Sequence, residues 1–290
     1  MEYGLVLPSF TAGASREGLE AAAEVAERLG WSTIWATDHI LAHVSDTDYG
    51  SIFEPLTTLA YLAAKHPRLR LGTSVVNVPL RNAVTLGKAL ASLDAITGGR
   101  LIVGVGLGDQ DDLAEFENLG VAELYPRRGA FLDETIRMWR HLWSGSTQPF
   151  EGRFFRLRDY GFGPLPAQRE RLPILVGGRS PAAYRRAGTL GDGYHATRRS
   201  PAEIGEVIPQ LRAAAEAAGR PMPAVSVRTR VRFEGTAPGY ALSGSPDAMR
   251  ADIAAFKELG VRHLAFLLDE TSPARLAHAA ERLQREVLSQ

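Results

Sequence analysis

Short apolar runs alternate with longer amphipathic stretches along the whole chain. The first run, Tyr3 to Leu7, ends at Pro8. Ser15 then opens a stretch in which Leu19, Ala22, Ala23, Ala26 and Leu29 recur at intervals of three and four. That spacing places them on one face of a helix, with Ser15 as N-cap and Gly30 as the stop. Further strand-like runs cover Thr33 to Ala36, Leu69 to Val78, Leu101 to Val105, Pro173 to Val176, Gly193 to Thr197, Val225 to Phe233 and His263 to Leu268. Between them, helical spacing predicts helices over Pro55 to Lys65, Ala83 to Ile96, Arg127 to Trp143, Ser180 to Leu190, Pro201 to Ala218, Ser245 to Leu259 and Pro273 to Val287. The Leu69 to Val78 run is β-branched and apolar on both faces, the signature of a strand covered on both sides.

Eight strand–helix units in this order predict an α/β fold, a (β/α)8 TIM barrel forming one domain over residues 1–290. An open doubly wound sheet also alternates strand with helix. The number of units, the lack of a compositional break between halves and the lack of a GxGxxG fingerprint after the first strand favour the barrel. Segment 144–172 is rich in Gly, Pro and Arg with little periodicity, and reads as an insertion that forms one wall of a site. The strand interiors are expected to stay apolar, with polar residues and glycines gathered at strand ends.

Composition narrows the function classes. Apolar residues make up 45% and charged residues 23%, the balance of a soluble globular protein. The absence of cysteine excludes disulfides, thiolate metal sites and cysteine nucleophiles. The 33 basic and 33 acidic residues cancel, which argues against a broad nucleic-acid or membrane-binding surface. Met1 to Phe10 carries no positive run ahead of an apolar stretch, so no signal peptide is expected. No apolar run is long enough to span a bilayer, and the expectation is a cytoplasmic protein.

In a barrel the chemistry belongs at the carboxyl ends of the strands. Those ends hold Asp38-His39, then Ser74-Val75 and Asn77, then Gly106-Leu107-Gly108-Asp109, then Gly177-Gly178-Arg179, then His195, Thr197, Arg198 and Arg199. Gly177-Gly178 before a helix start reads either as a phosphate cradle or as a plain tight turn. His39 reads as a proton donor or acceptor, since imidazole titrates near neutral pH, or as a structural cap. Asp109 reads as an acid–base group or as a loop acid. Asp38, His39 and His43 do not make a persuasive metal site, and no metal is expected. Arg228, Arg230 and Arg232 share one strand face at period two. Three guanidiniums there must meet acids, solvent or an anionic ligand.

In their order and spacing, these motifs resemble the bacterial luciferase-like superfamily over nearly the whole chain. The matching pieces are Gly4 to Pro8, then Ala23-Glu24 through Gly30-Trp31 and Ile34-Trp35 to Asp38-His39. Leu71 to Val75, Pro79, Arg81-Asn82, Ser92-Leu93-Asp94, Gly98 to Leu101 and Gly104-Val105-Gly106 follow, then Pro173-Ile174, Gly177-Gly178 and Asp192-Gly193-Tyr194. The resemblance implies flavin mononucleotide (FMN) or coenzyme F420 bound over the barrel mouth. It implies a non-prolyl cis peptide at Ser74-Val75 behind the ring, as in deazaflavin-dependent members. Asp38-His39 is similar to the pair of the deazaflavin-dependent sugar-phosphate dehydrogenases, with the histidine near the hydride-accepting carbon. Asp109 stands where those enzymes have an acid and many other members have tryptophan, which favours the deazaflavin branch.

The resemblance further implies that Gly177, Gly178 and Arg179 hold the cofactor phosphate, with Asp38, Gly106 and Thr197 completing the cofactor site. His39 and Asp109 are the expected catalytic residues. Arg198 and Arg199 stand near the place of lysines in the sugar-phosphate enzymes, so the substrate assignment does not carry over. The expected activity is hydride transfer between F420 and a small organic molecule, an anionic one being compatible. An FMN-dependent monooxygenase and a non-catalytic flavin-binding protein are the alternatives. Relatives often dimerise, so a homodimer is expected by analogy.

Overall fold

The computed structural model describes residues 1–10, 14–41, 49–108, 112–235, 239–270 and 272–289. Eight parallel strands form the barrel: β1 (Glu2–Val6), β2 (Thr33–Ala36), β3 (Arg70–Thr73), β4 (Leu101–Gly106), β5 (Ile174–Gly177), β6 (Gly193–Thr197), β7 (Ala224–Arg232) and β8 (Val261–Leu268). Neighbours in sequence are neighbours in the sheet, and β8 pairs with β1 to close the ring. Around it lie α1 (Arg16–Arg28), α2 (Pro55–Lys65), α3 (Ala83–Ile96), α4 (Leu113–Asn118), α5 (Arg128–Trp143), α6 (Pro181–Thr189), α7 (Pro201–Ala217), α8 (Pro246–Glu258) and α9 (Pro273–Leu283). This is the (β/α)8 TIM barrel. Among the described residues, no helix is long and apolar enough to cross a membrane.

The helix starts are written into the sequence. Ser180-Pro181, Ser200-Pro201, Ser245-Pro246 and Ser272-Pro273 each open one of α6 to α9. The serine hydroxyl accepts a first-turn N–H, and proline at the next position has no donor to leave unpaired. Ser200 and Glu203 complete a reciprocal capping box. Each such cap stabilises its helix by about 1 kcal/mol. These sharp starts hold the helix N-termini close to the strand ends at the barrel mouth.

The main core lies between strands and helices, where Leu5, Ile34, Leu71, Val103, Ile174 and Phe266 meet the inner helix faces. A second cluster fills the barrel itself, with Val6, Trp35, Ile102, Leu175, Ala265 and Leu267. The interior is not apolar throughout, contrary to expectation: His195, Ser226 and His263 are buried there. Trp35 stacks on His195 at 4.7 Å and meets the edge of His263 at 5.3 Å. Glycines clear the space. A Cβ on Gly72 would collide with the Trp35 ring, and one on Gly4 would lie 2.9 Å from His263. Truncating a buried indole of this kind costs about 3–5 kcal/mol.

Four segments depart from the pattern expected of the sequence. The Leu69 to Val78 run is not one strand: β3 stops at Thr73, Val76–Asn77 pairs with β4, and Val78–Leu80 forms a 3-10 turn. After a last ladder bond from the Ser74 N–H to the Ala36 carbonyl, the chain leaves the ladder at Ser74–Val75 and bows into the barrel. The acid-rich stretch after β4 contains α4 and a 3-10 turn over Ala122–Arg127. The turn-rich segment after β7 contributes a short strand, Ala241–Ser243, paired parallel with β7. The 144–172 segment carries a small hairpin, and among the described residues it supplies none of the lining of the mouth cavity. It packs instead on the outside of α3 and α5. Glu134 accepts the N–H groups of Arg153, Phe154 and Phe155, and Gln168 bonds to Asp94. Its aromatic residues face the outer core, which is why it covers helices and does not wall the site.

Candidate active site

A cavity of about 710 Å³ opens at the carboxyl ends of the strands. Asp38, His39, Ser74, Val75, Gly106, Gly177, Gly178, Arg179 and Thr197 all line it. Asp109 lies outside the described residues, as does His43. The size suits a small-molecule or cofactor site.

The floor is the Ser74–Val75 bulge. The peptide bond between these residues is cis. Ser74 follows β3, yet it reaches across the barrel. Its Oγ bonds to His195 Nε2 on β6 at 2.8 Å, and its carbonyl accepts from Arg228 Nη1 on β7 at 2.7 Å. His195 Nδ1 in turn meets Ser226 Oγ at 3.0 Å. Burial, with the nearby His263 and Arg228, pushes His195 down to about 3. A neutral imidazole has one donor and one acceptor nitrogen, and the two hydroxyls can serve either. The Val75 side chain fits against glycines. A Cβ on Gly106 would collide with it, and one on Gly177 would lie 3.1 Å from its Cγ1.

One wall is built on the end of β2. Asp38 is a bracket: its carboxylate accepts from the Asn77 N–H at 2.9 Å and from Arg81 Nη2 at 2.6 Å. Asn77 Nδ2 donates back to the Asp38 carbonyl, and Asn77 Oδ1 accepts from Gly108. This fixes the loop carrying His39. The His39 Nδ1 lies 3.1 Å from Glu115 Oε2 on α4. Glu115 Oε1 also accepts the N–H groups of Ile40 at 2.5 Å and Leu41 at 2.8 Å. Burial alone would lower His39. The hydrogen bond and charge of Glu115, with Asp112 and Asp38, outweigh it and hold the imidazole above its ordinary value. Burial would raise Glu115, but His39 and the two N–H groups bring it below the usual carboxylate range. Tyr49 stacks on the imidazole at 4.4 Å. Nε2 has no hydrogen-bond partner among the described residues.

The opposite wall carries the diglycine turn. Gly178 has φ +122°, and a Cβ there would lie 2.8 Å from Ala183, so the backbone stays bare. The Tyr194 hydroxyl donates to the Gly178 carbonyl at 2.9 Å, and Ser180 caps α6 beside it. Bare backbone at a helix N-terminus, next to Arg179, fits a phosphate group. Of the strand-seven arginines, Arg230 and Arg232 both pair with Asp269, at 2.9 and 2.7 Å. Arg199 pairs with Glu203, whereas Arg198 lines the cavity.

Two groups of this cavity's framework were not among the expected catalytic or cofactor-binding residues. Glu115 sits among several acids after β4, and nothing in that run singles it out. His195 had a signal, because period two puts it on the same strand face as Thr197 and hence inside the ring. His39, Asp112 and Glu115 bring ligand atoms within 4.8 Å of one another. Both Glu115 oxygens already accept hydrogen bonds, so a cation would have to compete with them.

Residues 1–237 match the family model described as luciferase-like monooxygenase. The chain is 33% identical over 203 residues to an F420-dependent glucose-6-phosphate dehydrogenase of Kineococcus radiotolerans, a match covering 67% of this chain and 57% of that protein. It is 30% identical over 266 residues to an F420-dependent hydroxymycolic acid dehydrogenase of Mycobacterium tuberculosis, covering 91% and 68%. Among solved structures, an F420-dependent secondary alcohol dehydrogenase in complex with an F420-acetone adduct has a TM-score of 0.82 at 17% identity, covering 99% of this chain and 98% of that one. That likeness concerns the fold. With most of its length matched by the family model and its barrel the same, the chain belongs to the luciferase-like monooxygenase family.

Proposed function

We propose that the protein is an oxidoreductase that moves a hydride between coenzyme F420 and a small organic substrate of the alcohol or carbonyl class. The observation that carries this reading is the His39 imidazole, held through Nδ1 by a buried carboxylate at the edge of a cavity floored by the Ser74–Val75 bulge. The names of the two F420-dependent relatives support the choice of cofactor.

F420 bound here would supply a ring carbon that takes or gives hydride. Gly177, Gly178 and Arg179 would hold its phosphate, and Val75 would back its ring. Asp38, Gly106 and Thr197 would complete the cofactor site. His39 would take the hydroxyl proton of the substrate through Nε2, with Glu115 fixing the ring orientation and stabilising the imidazolium. In the reverse direction the same imidazolium returns the proton. Asp109, adjacent to this wall in sequence, would orient the substrate.

Titration of the apo-protein with F420 and with FMN, followed by fluorescence, tests the reading. F420 binding without oxygen uptake is expected. Tight FMN binding with no F420 binding, and oxygen consumption with reduced FMN, would replace this activity with that of a flavin monooxygenase.

A further inference from the structure

The three arginines on β7 are equivalent in sequence but not in the fold. Arg230 and Arg232 share the Asp269 carboxylate. Arg228 has no carboxylate partner among the described residues. Its Nη1 donates to the Ser74 carbonyl at 2.7 Å, its guanidinium lies 5.7 Å from the Phe10 ring, and it lines the mouth cavity. Burial, with the like charges of Arg198 and Arg230, lowers its pKa. A cation in such a place is costly without a counter-charge. Of the acids near it, Asp38, which lines the cavity, is bound to Arg81, Asp269 to Arg230 and Arg232, and Glu115 to the His39 imidazole, while Asp112 also lines the cavity and lies with His39 and Glu115. Among the described residues no carboxylate pairs with Arg228, so an anionic occupant of the cavity would supply its counter-charge.

The contact with Ser74 says which part of the occupant. Arg228 is tied to the bulge itself and lines the same cavity as Val75, so a planar ring resting on Val75 would share that cavity with this guanidinium. We propose that Arg228 is a charge-binding residue for the cofactor ring and recognises its reduced, anionic form. This rests on the reading above. In that reaction the substrate C–H bond breaks with both electrons, and the hydride forms a new C–H bond on the ring. The substrate O–H proton goes to His39, and the C–O bond becomes a carbonyl. The ring has gained two electrons and one proton, hence one negative charge, spread over its pyrimidine edge. Arg228 neutralises that charge without itself giving up a proton.

The test is calorimetric titration of oxidised and of reduced F420, under anaerobic conditions, into the wild type and into R228M and R228K. A charged hydrogen bond predicts that R228M weakens reduced F420 by about tenfold or more relative to the oxidised form. R228K, which keeps the charge, should retain most of that preference. Equal weakening of both forms in R228M, or an unchanged ratio, overturns the proposal. So does a rise confined to the substrate KM, which would assign the charge to a substrate anion. A second measurement needs no variant. Reduced F420 titrated by absorbance should keep its negative charge to lower pH when bound than when free, and an unchanged or higher midpoint is a refutation. If the wild type binds neither form, it is the proposed function that has failed. Binding with an unchanged ratio sinks only the role of Arg228.

Discussion

Replacing Glu115 with glutamine isolates the link between this carboxylate and His39. The Glu115 Oε1 position accepts from Ile40 at 2.5 Å and Leu41 at 2.8 Å, and a glutamine carbonyl can take over both bonds. The Oε2 position, 3.1 Å from His39 Nδ1, becomes an NH2 group. A donor there forces Nδ1 to accept, which moves the imidazole proton to Nε2 and leaves no free lone pair facing the cavity. The variant therefore loses one charge-assisted hydrogen bond in a buried setting, about 1.5–3 kcal/mol of stability. Glu115→Ala is the harsher control, because it also strands two backbone donors.

The pH dependence gives the experiment its sign. His39 is raised above its ordinary value of 6.5, so its share of the stability is complete below that pH and fades as pH rises through the folded value. Glu115 is lowered from its ordinary 4.5, so its share is complete above that pH and fades as pH falls through the folded value. The difference between wild type and E115Q should be greatest between 4.5 and 6.5 and shrink in alkali. Urea unfolding across this range measures it, and NMR titration of labelled histidine should show the His39 midpoint moving down in E115Q. Under the proposed function, turnover falls by about 10²-fold or more. An unmoved His39 midpoint, with a stability difference that is flat with pH, would refute the pairing.

Two other changes probe the barrel interior. Gly106→Ala places a methyl against the Val75 side chain. It should cost about 1–3 kcal/mol in stability and weaken cofactor binding by displacing the bulge, read by thermal melting and fluorescence titration. His195 and His263 are both held down to about 3. The unfolded chain takes up a proton at each near pH 6.5, so stability should fall as pH drops below that value, by about 1.4 kcal/mol per pH unit per histidine. Urea unfolding at about pH 7 and pH 5 checks this, and a flat profile would mean that these rings are charged in the fold.

The strand and helix pattern was legible because each unit repeats the same local physics: an apolar run, a cap, an amphipathic helix and a stop. What it could not show was a run that looks like a strand and is not one throughout. Set between Leu71 and the Val75-Val76 and Val78 positions, Ser74 reads as a polar residue inside an otherwise mostly apolar strand. The departure of Ser74 and Val75 from the ladder depends on partners far away in sequence: His195 and Arg228 across the barrel, and the glycines that accommodate Val75. The 144–172 segment was misplaced for a related reason. Its composition marks an irregular segment but carries no information about which face of the barrel it covers.

The arginines of β7 show where periodicity ends and register begins. Period two put Arg228, Arg230 and Arg232 on one face and could go no further. The pairing of β7 with β8 sets Arg228 against Ala265, Arg230 against Leu267 and Val231 against Leu268. One more residue on each strand brings Arg232 level with Asp269. Arg230 lies one inward-facing position deeper and still reaches that carboxylate, but Arg228 lies a further two residues down, about 6.6 Å along the strand. At that depth the level structure is the Ser74–Val75 bulge, and the guanidinium meets a carbonyl in place of a carboxylate. One aspartate just beyond the end of β8 thus pairs with both outer arginines and leaves the innermost charge facing the cavity floor. A carboxylate placed two positions earlier, at Leu267, would reverse this: it would neutralise Arg228 from within the barrel and remove the charge that the occupant has to match.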